Sequence, residues 1–122
     1  MNSALVLLAH GSPDPDWAKP IEQIASRIRL LQPQTEVAVA YLEHHPASLK
    51  AVISQLSTAG HRNIRIILGF ISSGGRHLKS DIPKLVQALC MEFPDLYISL
   101  SSQALGEDSL VIEAMAQAAL QD

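Results

Sequence analysis

A single cysteine, Cys90, stands in a chain of 122 residues. A lone thiol closes no internal disulfide, and the same count excludes CxxC redox pairs and cysteine zinc fingers. The residue fits a reducing compartment. Excess charge of one sign is also missing. Nine Lys and Arg face twelve Asp and Glu, for a net charge of −3, which leaves no basic footprint for a nucleic-acid backbone. Charged residues make up 17% and hydrophobic ones 48%, a balance that disfavours disorder and suffices for a compact core. Long apolar runs are absent. The longest, Ile64 to Ile71, contains Arg65 and falls far short of the roughly 20 residues that span a bilayer. No basic region or cleavage pattern precedes Ala4–Ala9, so no secretion signal is read. These features predict a cytoplasmic protein of one domain, residues 1–122, with neither a nucleic-acid nor a membrane partner.

Nucleotide-binding signatures are missing too. No GxxxxGK[ST] stretch occurs, and no GxGxxG follows the first apolar run.

What is present is an alternation of four apolar runs with four amphipathic stretches. Ala4–Ala9 is almost wholly apolar, as a strand covered on both faces requires. The cluster His10-Gly11-Ser12-Pro13-Asp14-Pro15 ends it, because glycine and proline interrupt a ladder. A helix is predicted from Trp17 to Leu31, with Ile21, Ile24, Ala25, Ile28 and Leu31 on one face. Asp14 and Asp16 read as its caps, and Trp17 as core. A second strand, Glu36–Leu42, leads to a helix opened by Pro46, where the missing N–H is harmless. Leu49, Val52, Ile53 and Leu56 give that helix its apolar side, and Gly60 stops it. The third strand, Ile64–Ile71, runs into a glycine loop, Ser72 to His77. A third helix follows with Pro83 near its start and Ile82, Leu85, Val86, Leu89 and Phe93 on one side. A short strand, Leu96–Leu100, precedes a last helix from Glu107 to Leu120, whose apolar side is Val111, Ala114, Met115 and Ala118.

Four βα units with short connections give right-handed crossovers and a parallel sheet. The fold class is therefore α/β: a four-stranded parallel sheet with helices on both faces, a flavodoxin-like three-layer sandwich whose usual strand order is 2-1-3-4. In such sheets ligands sit beyond the carboxyl ends of the strands, where strand order reverses. That point lies between the loops after strands one and three, which carry His10 and His77. Each histidine alone could simply bond a backbone carbonyl. As a converging pair they suit a divalent metal or acid–base chemistry as well as that plain reading. Glu43, ending strand two on the same edge, could take protons or help hold a metal, or be an ordinary exposed carboxylate. His44 and His45 read first as surface and second as residues backing the site, His61 as solvated on the opposite edge, and Cys90 as inert on the third helix.

The motifs are more specific than the spacing. Leu7-Leu8-Ala9-His10-Gly11-Ser12-Pro13-Asp14-Pro15 is followed by Trp17. Then come Tyr41-Leu42-Glu43 with Pro46-Ala47-Ser48-Leu49, and Gly69-Phe70-Ile71 through Gly74-Gly75-Arg76-His77 to Asp81-Ile82-Pro83. Together they resemble the small CbiX-type chelatases, class II tetrapyrrole chelatases that include the sirohydrochlorin cobaltochelatases and ferrochelatases. The similarity runs from strand one to Leu105-Gly106. It implies that His10 and His77 hold a divalent metal and deliver it to the macrocycle, with Glu43 at the same site. It also implies a homodimer, since larger members hold two such domains in one chain. The metal (cobalt first, nickel or iron as alternatives) enters as substrate, and no organic cofactor is needed. Two departures stand out: Gly69 occupies a place where the family usually has proline, and the glycine loop is one residue longer, with Arg76 inserted.

This resemblance implies metal insertion into sirohydrochlorin on the way to cobalamin or siroheme. Substrate contacts are assigned to Ser12, Ser73, Gly74, Gly75 and Arg76, with Lys79 nearby, as donors for a carboxylate-rich ligand. A carrier of metal or tetrapyrrole without turnover would use the same histidines. A flavodoxin-shaped regulatory domain would want clustered aspartates at the strand ends, and no Asp ends strand three.

Overall fold

The computed structural model describes residues 3–121, and of Arg76, His77 and Leu78 the backbone alone. Strands β1 (Ser3–Ala9), β2 (Glu36–Tyr41), β3 (Asn63–Leu68) and β4 (Tyr97–Ala104) alternate with helices α1 (Lys19–Leu31), α2 (Leu49–Thr58), α3 (Arg76–Glu92) and α4 (Ser109–Gln121). The sheet is parallel throughout, in order β2-β1-β3-β4. Ala9 pairs with Tyr41, and Leu8 with Leu68, so the ends of the three strands that carry the site lie side by side.

The core divides by sheet face because side chains alternate along a strand. On one face Val6, Leu8, Ile64 and Ile66 pack against Ile53 of α2 and Ile82 and Val86 of α3. On the other, Leu7, Val37, Val39 and Tyr41 pack against Ile21 and Ala25 of α1. Ser48, in extended conformation, caps α2 by accepting the Ala51 N–H at 3.2 Å. That helix therefore begins at Leu49 and not at Pro46. Asp14 caps a 3-10 turn, Pro15–Ala18, accepting the Asp16 N–H at 2.9 Å, and Asp16 pairs with Lys19 at 2.9 Å.

Four further local expectations are corrected. β3 stops at Leu68, leaving Gly69, Phe70 and Ile71 to the edge segment. α3 begins at Arg76, so His77 sits in its first turn rather than in a loop. Pro83 lies well inside α3, on its exposed side, rather than near the start of the helix. α4 buries none of its residues: Leu110, Ile112, Met115 and Leu120 are all exposed, and the helix contacts the 3-10 turn (Leu105–Glu107) before it. Periodicity identifies an apolar side without saying what covers it. Among the described residues no helix is long and apolar enough to cross a membrane.

Candidate active site

Backbone hydrogen bonds carry the sheet past the ends of its strands. Leu42 N–H donates to Ala9 at 2.9 Å, Glu43 N–H to His10 at 3.0 Å, and Gly69 N–H to Leu8 at 2.8 Å. The last bond needs an N–H that proline lacks, so Gly69 extends the ladder between β1 and β3. Gly11 turns the chain away with φ +88°, and a Cβ there would fall on the Glu43 carbonyl oxygen. Only glycine allows the loops after β1 and β2 to lie this close.

Above these ends is a cavity of about 440 Å³. Trp17, Ile21, Ile24, Phe70 and Ile71 form much of its apolar wall, while His10, Ser12, Asp14, His45 and Ser72 supply polar groups. The His10 ring is exposed and lies 4.4 Å from the Phe70 ring. His45 stacks on Tyr41 at 4.1 Å. Tyr41 donates its hydroxyl to Glu22 Oε1 at 3.1 Å. Burial first, then the Glu22 carboxylate as acceptor and as charge, push its pKa up to about 12, so it stays a neutral donor.

The expected residues fall into three groups. His10 and Ser12 line the cavity, with Ser12 Oγ accepting the Asp14 N–H at 3.1 Å. Glu43 follows β2 with its carboxylate exposed, 3.7 Å from His44 Nε2, and is joined to His10 through the backbone. Ser73, Gly74 and Gly75 lie on the neighbouring loop, outside the cavity lining. Ser73 donates to Glu107 Oε1 at 2.8 Å, Gly74 N–H donates to Ser72 Oγ at 3.0 Å, and Gly75 takes φ +99° just before α3. Lys79 follows on the first turns of α3, its N–H donating to the Gly75 carbonyl at 3.1 Å. The side chains of Arg76 and His77 lie outside the described residues. Among those described, no group of three or more His, Cys, Asp or Glu is placed to hold a metal ion.

Glu107 is a member of the site edge that no sequence signal indicated. It accepts the Ala104 N–H as well as the Ser73 hydroxyl, both at 2.8 Å. The Ala104 bond first, then Ser73, holds its carboxyl below the usual glutamate range. Trp17, expected in the core, is 72% exposed on the cavity wall. His45, expected at the surface, is exposed but lines the cavity. His61 is half-buried with Nδ1 unpartnered among the described residues, not freely solvated.

The CbiX family model matches residues 4–122. The chain belongs to the CbiX family. A CbiX protein from Marinobacter aquaeolei VT8 has the same fold with a TM-score of 0.80 at 26% identity, over 98% of each chain. The sirohydrochlorin chelatase SirB from Bacillus subtilis subspecies spizizenii, solved in complex with cobalt, gives 0.76 at 19% identity. SirB from Bacillus subtilis with Fe3+ gives 0.79 at 19%. The present chain is covered to 96% in both, yet spans 49% and 46% of those proteins. This CbiX chain thus matches about half of a SirB chain. No curated protein matches it significantly.

Proposed function

We propose that this CbiX protein is a sirohydrochlorin metal chelatase, acting in the cytoplasm as one domain over residues 1–122. It inserts a divalent ion, cobalt first and nickel or ferrous iron as alternatives, in tetrapyrrole biosynthesis leading to cobalamin or siroheme. The observation that carries the reading is the exposed His10 imidazole on the wall of an apolar cavity at the carboxyl ends of β1 and β3.

The chemistry needs few parts. A metal ion must exchange its hydration shell for four ring nitrogens, and the macrocycle must release two pyrrole protons. His10 and His77 hold the ion through neutral imidazoles with positions left open for transfer. Glu43 or a freed imidazole accepts the protons. The apolar wall formed by Trp17 and Ile24 takes the flat ring face. N–H donors around Ser12, Ser73, Gly74 and Gly75, with Arg76 and Lys79, meet the carboxylates. The metal is substrate, and no organic cofactor takes part.

The partner protein is a second copy of the chain. Exposed α4 supports this, since an apolar helix with none of its described residues buried leaves surface for a copy to bury.

An anaerobic insertion assay tests the reading. Sirohydrochlorin with Co2+, Ni2+ or Fe2+ is followed by absorbance in the presence of catalytic protein. Turnover beyond one equivalent, lost in His77→Ala, identifies a chelatase. Stoichiometric binding without turnover would instead identify a carrier.

A further inference from the structure

The loop joining β2 to α2 folds back on itself around His45. Tyr41 N–H donates to the Ala47 carbonyl at 2.9 Å, and Ala47 N–H donates to Nδ1 of His45 at 3.0 Å. Between them His44 takes a left-handed φ of 60°, a conformation that non-glycine residues adopt only at a cost. Pro46 has its φ fixed by its ring. His45 is further held by its stack on Tyr41, which is buried and anchored to Glu22. An exposed imidazole is thus immobilised on the cavity wall.

The Ala47 bond decides what chemistry that ring offers. A nitrogen that accepts an N–H has its lone pair in use, so the proton of the neutral ring resides on Nε2. Nε2 then has no lone pair for a metal ion, and Nδ1 has none to spare. Nε2 has no partner among the described residues, which leaves it a donor available to a ligand. His10 differs: its ring meets Phe70 and makes no hydrogen bond among the described residues.

We propose that His45 is a substrate-binding residue whose Nε2–H binds a carboxylate side group of the macrocycle, and that it takes no part in holding the metal. The proposal rests on the reading of the cavity as a tetrapyrrole site. It separates two histidines of the cavity wall by role: His10 handles the ion, and His45 fixes how the macrocycle lies against it.

Two measurements test it. Long-range proton–nitrogen NMR of the free protein reads the tautomer directly. An Nε2–H ring is expected, and an Nδ1–H ring overturns the proposal whatever the cavity binds. Steady-state insertion is then measured with sirohydrochlorin and Co2+ varied separately. His45→Ala raises KM for the macrocycle about tenfold, the scale of a lost hydrogen bond to a charged group, with kcat and KM for Co2+ within about twofold. His45→Gln, whose amide N–H reaches a similar place, recovers most of the loss. A raised KM for Co2+, or a fall in kcat at unchanged macrocycle KM, overturns it. Failure of the tetrapyrrole reading itself is visible in the wild type, as absence of sirohydrochlorin binding. Failure of this proposal alone appears only in the variants.

Discussion

The His10 imidazole rests on the ring of Phe70, centroids 4.4 Å apart and planes tilted by 30°. The contact joins the end of β1 to the segment after β3, and Phe70 is itself 8% exposed within the core. Phe70→Leu keeps apolar bulk but removes the flat surface that orients the imidazole. It is expected to cost about 1–2 kcal/mol of stability in urea unfolding, because the ring is only partly truncated, while insertion activity falls about tenfold. Phe70→Ala would not separate the two effects, because truncating a buried ring costs about 3–5 kcal/mol.

Trp17 is the sole tryptophan and lies exposed on the cavity wall. Trp17→Ala is expected to leave stability within about 0.5 kcal/mol of wild type, as for most surface changes. Binding of the macrocycle should weaken about tenfold, the scale of a lost aromatic stack with its buried area. Quenching of the single indole on titration with sirohydrochlorin gives the wild-type affinity, and absorbance gives that of the variant.

Glu107 ties the glycine loop to the end of β4 through Ser73 and Ala104. Its carboxyl is held below the usual range in the folded state, by the Ala104 N–H above all. A depressed folded pKa contributes stability above the ordinary glutamate range and loses it as pH falls through the lowered value. Glu107→Gln is therefore expected to lower Tm at pH 7. The gap to wild type should close on acidification below about pH 4. A gap unchanged across that range contradicts the assignment.

Replacing Leu110 and Met115 of α4 by Glu places charge on a helix none of whose described residues is buried. Sedimentation should show a dimer for wild type and a monomer for the variant, with the circular dichroism of the sheet unchanged. A wild-type monomer would remove the homodimer.

The sheet and its site edge were legible because both are local signals. Apolar runs such as Ala4–Ala9 and Ile64–Ile71 mark strands by composition, and short right-handed connections make them parallel in what is the usual order for such a sheet. His10 was legible because it directly follows a strand. His45 was not, since its placement on the cavity wall depends on a ring stack with Tyr41 and a bond from Ala47 that no spacing encodes. Trp17 was misplaced for a related reason. Large apolar residues usually fill cores, and only the cavity beside β1 explains an exposed one. For α4 the periodic apolar side was evident, whereas its lack of cover depends on how the chain turns after Ala104.

The most direct test compares wild type with His10→Ala in an anaerobic assay, with sirohydrochlorin and Co2+ each in large excess over protein. The account predicts many equivalents of metallated product from wild type and a rate indistinguishable from the protein-free background from the variant. Equal rates from the two proteins would contradict the role given to His10, and with it the claim that this cavity is where the metal enters the macrocycle.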